Sequence, residues 1–84
     1  MTSVKSSLQG AGTALNNRLR TFREERGWSQ SELARRVGVS RQTINAVETD
    51  KYDPSLPLAL RLAQLFGVDV TAIFIDDWEP EEPA

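Results

Sequence analysis

No cysteine and no histidine occur in the chain. The first absence excludes disulfides, thiolate nucleophiles and cysteine-based zinc sites. The second removes the commonest general base and the commonest transition-metal ligand. No run of about 20 apolar residues is present, so no membrane span is expected. The N-terminus carries one lysine, Lys5, and lacks the apolar stretch of a secretory signal. No glycine-rich phosphate loop or paired-carboxylate cleft stands out either. Neither an enzyme nor a cofactor or small-molecule ligand is expected, and a cytoplasmic protein is.

What remains is 84 residues, enough for one small domain, with 39% apolar residues to fill one core. The net charge of −2 is unevenly spread. Residues 1–68 hold all ten basic side chains and six acidic ones, a net of +4, while residues 69–84 hold six acids and no base. A basic body with an acidic end is the larger signal. Residues 1–13, rich in Ser and Gly, read as a flexible arm. Residues 14–75 read as the folded domain, and 76–84 as an acidic tail. The tail acids Asp76, Asp77, Glu79, Glu81 and Glu82 lie among prolines, which favours a solvated end over a metal site.

The domain punctuates itself into helices. A first helix is expected from Thr13 or Ala14, with Leu15, Leu19 and Phe22 on one face and Gly27 as its stop. Ser29, with Glu32 three residues on, is a capping box for a second helix beginning at Gln30, with Leu33, Ala34 and Val37 as its apolar stripe. Gly38 ends it. Ser40 caps a third helix only two residues later, over about Arg41 to Thr49, with Ile44 and Val47 inside. Ser55 caps a fourth, apolar on most sides, with Pro57 in its first turn. Gly67 stops that helix, and Asp69 is placed to cap a short fifth, Val70 to Phe74. The IFIDDW stretch that follows has strand-like residues. Trp28 reads as packing rather than as a base-stacking platform, and Arg35 and Arg36 as a solvated face.

Residues 30–49, QSELARRVGVSRQTINAVET, resemble the helix-turn-helix of the Cro/C1-type, or Xre, repressor family. The flanks NRLRTFREERGWSQ and KYDPSLPLALRLAQLFGV are similar to it as well, so the likeness covers about residues 15–74. It implies an all-α, five-helix, lambda-repressor-like DNA-binding domain, with room for a short C-terminal strand. It also implies a sequence-specific regulator, by default a repressor of bacterial or phage type, on double-stranded operator DNA. The third helix would then enter the major groove. Arg41, Gln42, Asn45 and Ala46 would face base edges, since Arg suits guanine, Gln suits adenine and a methyl suits thymine. Gln30, Ser40, Thr43, Lys51 and Tyr52 would contact the sugar–phosphate backbone. Arg23 and Glu48 match an ion pair that is structural in the family. One departure stands out: Thr49-Asp50 replaces the family's usual Asn-Gly.

Ile73, Phe74, Ile75 and Trp78 make a large apolar set so close to a chain end. Packing across a two-fold axis as a homodimer interface is expected, with folding back onto the same chain as the alternative. A dimer would suit a palindromic operator. The acidic tail is expected to suppress non-specific DNA binding by repelling phosphates or covering the basic face. An antitoxin-like protein-interaction module, with DNA binding secondary, is the other functional class the sequence leaves open.

Overall fold

The computed structural model describes residues 16–78 and residue 81. In chain order these form β1 (Asn16–Asn17), α1 (Leu19–Glu25), α2 (Gln30–Val37), α3 (Arg41–Glu48), α4 (Leu56–Phe66), α5 (Val70–Ile73) and β2 (Phe74–Ile75). Three helices start on serine. The hydroxyls of Ser29, Ser40 and Ser55 accept from the N–H of Glu32, Thr43 and Leu58 at 3.0, 3.1 and 3.2 Å, each satisfying a donor that the first helical turn leaves open. The Ser29 capping box is half formed, because the Glu32 carboxylate turns to Arg35 and Arg36 at 2.6 and 2.7 Å. Asp69 occupies the cap position of α5 without a side-chain hydrogen bond; its carbonyl accepts from Ala72 instead.

The first helix begins at Leu19, not at Thr13 or Ala14. Asn16 and Asn17 are extended and pair antiparallel with Ile75 and Phe74. Asn17 sets the boundary, because its side-chain oxygen accepts from the Leu19 N–H at 3.1 Å and so caps α1 from the strand. The Arg18 N–H donates to the Ile73 carbonyl at 2.8 Å, extending the tie between the two segments. The strand-like residues after α5 thus find their partner in the same chain. The expected flexible arm, 1–13, and most of the tail beyond Trp78 lie outside the described residues.

Leu19, Leu33, Ile44, Val47, Leu62 and Ile73 are fully buried. One comes from each helix except α3, which gives two, so every helix is anchored in one core. Each such side chain contributes roughly 1.5–3 kcal/mol by leaving water. Trp28 joins this core as a half-buried ring, 5.7 Å from the Phe66 ring, with the Arg36 guanidinium 4.2 Å above it. Arg36 is therefore not simply solvated: its stem and head cover an aromatic face. Ile73 and Phe74 also belong to this core. That corrects their place in the expected dimer surface, because Ile73 ends α5 inside the core and Phe74 is buried from β2, which leaves only Ile75 and Trp78 of the four exposed.

Candidate nucleic-acid interface

The α2–turn–α3 unit is fixed from inside by Leu33, Ala34 and Val37 on one helix and by Ile44 and Val47 on the other. Gly38 makes the turn at φ 79°, and its N–H donates to the Ala34 carbonyl at 2.8 Å. Arg61, from α4, donates to the Val37 carbonyl at 2.9 Å and closes the same end of α2. With the inner face fixed, the outer face of α3 is fixed too. Arg41, Gln42 and Asn45 are exposed there, and Thr43 and Ala46 are half-buried. Positions 41 and 45, and 42 and 46, are four apart and share a face.

Behind that face runs a polar chain. Arg23 of α1 is buried, and its Nε donates to Glu48 Oε2 at 2.6 Å while its second amino group donates to Oε1 at 3.1 Å. A third donor reaches the Trp28 carbonyl at 2.8 Å. The Glu48 side chain is only 3% exposed. This two-point bond raises the Arg23 pKa from its ordinary value, against the desolvation that would lower it. The pair joins α1 to the last turn of α3. Gln30 extends the chain: its amide nitrogen donates to Glu48 Oε1 at 3.0 Å and to Asn45 Oδ1 at 3.2 Å, and its carbonyl oxygen accepts from Arg41 at 3.3 Å. Gln30, Arg41, Asn45, Glu48 and Arg23 are brought together. Ser40 and Thr43 are coupled by their hydroxyls at 2.9 Å at the start of α3. Lys51 and Tyr52 are exposed beyond its far end.

Asp50 resolves the departure at Thr49-Asp50. It is the one described non-glycine residue with positive φ, 59°. Its N–H donates to the Val47 carbonyl and that of Lys51 to Ala46, the closure that Gly27 and Gly67 make on α1 and α4. The Asp50 carboxylate accepts from Asn17 Nδ2 at 2.8 Å, and Asn17 Nδ2 also donates to the Val47 carbonyl at 3.0 Å. An aspartate thus fills a glycine's position and ties β1 to the end of α3. No spacing rule announced this clasp, nor the Arg61 bond to α2; both join residues at least 24 apart in sequence.

The family model described as helix-turn-helix matches residues 19–73. The chain belongs to the Cro/C1-type helix-turn-helix family. The helix-turn-helix relatives include an uncharacterized HTH-type transcriptional regulator of Methanocaldococcus jannaschii, 49% identical over 61 residues that cover 73% of this chain and 92% of that one. The antitoxin HipB of Escherichia coli is 30% identical over 69 residues, 82% of this chain and 73% of that one. A crystal structure of a Bacteroides fragilis protein superposes with a TM-score of 0.64 at 28% identity, over 71% of this chain and 97% of that one. This helix-turn-helix family is a class of DNA-binding transcriptional regulators, not of enzymes. Among the described residues no helix is long and apolar enough to cross a membrane.

Proposed function

We propose that the protein is a sequence-specific transcriptional repressor that binds a palindromic operator in the cytoplasm as a homodimer. The observation that carries this reading is the outer face of α3, where Arg41, Gln42 and Asn45 stand exposed on a helix whose inner face is locked in the core. Arg41 and Gln42 have the donor patterns for guanine and adenine edges, Asn45 adds a second amide, and Ala46 offers a methyl-sized apolar contact. The phosphate contacts come from the start of α2 at Gln30, from Ser40 and Thr43, and from Lys51 and Tyr52. Ile75 and Trp78, exposed at the β2 end, supply the dimer contact. A dimer sets two copies of α3 about 34 Å apart, one turn of duplex.

Selection from a random duplex pool at about 150 mM salt tests this, because purely electrostatic binding is weak there. An enriched palindrome is expected; a pool with no enriched sequence overturns the reading. Light scattering of the chain at tens of micromolar is expected to give a dimer mass, and the monomer mass would remove the two-fold arrangement. A second reading, an antitoxin-like module with a protein partner, draws on the likeness to HipB. Co-purification of a stoichiometric partner without an enriched DNA site would favour it.

A further inference from the structure

We propose that the cleft between α2 and α4 is a binding site for a small organic phosphate monoester. The inference stands apart from the reading of α3, and it departs from the expectation of no small-molecule ligand. The cleft has a volume of about 620 Å3, a size typical of small-ligand sites. Arg35 and Arg36 line it from α2, Arg61 and Gln64 from α4, and Val37 and Leu65 add apolar surface. No acidic side chain lines it among the described residues. None of these three arginines belongs to the DNA contacts proposed above.

Glu32, just outside the cleft, sets its charge. Its Oε2 lies 2.6 Å from an Arg35 amino group and 2.7 Å from Arg36 Nε. One carboxylate thus serves two cations, and Arg61 adds a third, so these four side chains sum to two positive charges. The contacts with Glu32, and the Arg61 bond to the Val37 carbonyl, take one N–H of each guanidinium, which has five. Stacking on Trp28 also holds Arg36, so less freedom is lost when an anion binds. A bare helix C-terminus repels anions. Here Arg61 covers the Val37 carbonyl, and the N–H groups of Gly38 and Val39 cover that of Ala34 at 2.8 and 3.0 Å. A phosphate monoester suits this set better than a carboxylate does. It brings close to two negative charges and three acceptor oxygens, whereas a carboxylate's single charge is what Glu32 already supplies. The organic part would rest against half-buried Leu65, and the Gln64 amide offers one more donor. A ligand so held ties α2 to α4 beside the Gly38 turn.

The probe is phenyl phosphate, titrated into the full chain at constant ionic strength and followed through the arginine Nε–H resonances. Inorganic phosphate and benzoate are titrated alongside. Saturable shifts at Arg35, Arg36 and Arg61 are expected, with phenyl phosphate binding about 10-fold tighter than benzoate, the worth of one charge-assisted hydrogen bond. Inorganic phosphate should move the same arginines and bind more weakly than phenyl phosphate. Gln64→Glu sets a carboxylate in the cleft without removing an arginine, and should weaken phenyl phosphate by about 10-fold. Arg20→Gln, outside the cleft, should leave it unchanged. Shifts that do not saturate, or that appear equally at Arg20, mean an adventitious ion only and overturn the proposal. Equal binding of benzoate overturns it too, as does a Gln64→Glu protein that binds like its parent. Arg35→Gln should leave the salt dependence of duplex binding as it is; a slope smaller by about 1 assigns Arg35 to a duplex phosphate and removes the free ligand. Saturating phenyl phosphate should also raise the Tm of the unmodified chain, a readout that needs no variant, and an unmoved Tm counts against the site.

Discussion

Glu48→Ala removes one carboxylate and leaves three groups without it: the Arg23 Nε, an Arg23 amino group and the Gln30 amide. Arg23 cannot move into water without breaking its bond to the Trp28 carbonyl and vacating its buried site. Stranding a buried charge this way costs about 3–5 kcal/mol. Total stability of a domain is about 5–15 kcal/mol, so this is a large part of it. At about 4–8 °C per kcal/mol for a domain of this size, Tm should fall by roughly 12–40 °C. Thermal unfolding followed by far-ultraviolet circular dichroism measures it. The combination Arg23→Met with Glu48→Leu should recover most of the loss, because an apolar pair leaves no stranded charge. A Glu48→Ala protein melting within about 5 °C of the parent would refute the argument that the pair holds α1 to α3.

Gly38→Ala should lower stability by about 1–2 kcal/mol in urea unfolding, since a Cβ is disfavoured at φ 79°. Crowding would not be the cause, as the new carbon would lie 3.6 Å from an Arg61 nitrogen. Asp50→Gly relieves the left-handed backbone but breaks the Asn17 bond, so stability should change by less than about 1 kcal/mol. Its DNA affinity at low salt should rise, because one negative charge leaves the end of α3. The Glu32 carboxyl is held below its usual range first by the hydrogen bond from Arg35. Its small contribution is full above the unfolded-state pKa and fades as pH falls through the lower folded value. Glu32→Gln should flatten that part of the acid limb of a stability–pH curve. Glu79→Gln, Glu81→Gln and Glu82→Gln together should raise affinity for non-specific duplex at low salt; an unchanged salt series would remove the proposed role of the tail.

The parts of the fold that were legible in the sequence are those written locally. Ser29, Ser40 and Ser55 each lie three residues before the N–H they accept, so their caps can be read from spacing alone. The same holds for the Gly38 turn and for the stripes that pack α2 on α3. Arg23 and Glu48 were legible only through the family likeness, since no local rule couples residues 25 apart. The start of α1 was misplaced because the apolar spacing runs through Leu15 and Leu19, while Asn17 interrupts it with a side-chain cap and a strand partner 57 residues away in sequence. Ile73 and Phe74 are expected at a dimer interface for a related reason: the strand that pairs with Phe74 comes from the other end of the chain, and the core that takes in both is shared by all the helices. Gln30 was legible as a site residue but not in its connections, because all three of its partners sit on the next helix by geometry that spacing does not encode.

The pairing of Asn16 with Ile75 closes a loop that contains all five helices. Holding the ends of so long a loop together costs about 3.5 kcal/mol of chain entropy, to be recovered from two short strands. The helices join near neighbours and need no such closure, so the order of assembly follows. The helical hairpin around Gly38 forms early, and the strand pair forms last and opens first. In native-state hydrogen exchange the Arg18 amide, bonded to Ile73, should therefore lose protection through a small opening while the Gly38 amide waits for global unfolding. Each such opening also releases Asn17 from the end of α3. The last turn of that helix then lives on a faster clock than its first.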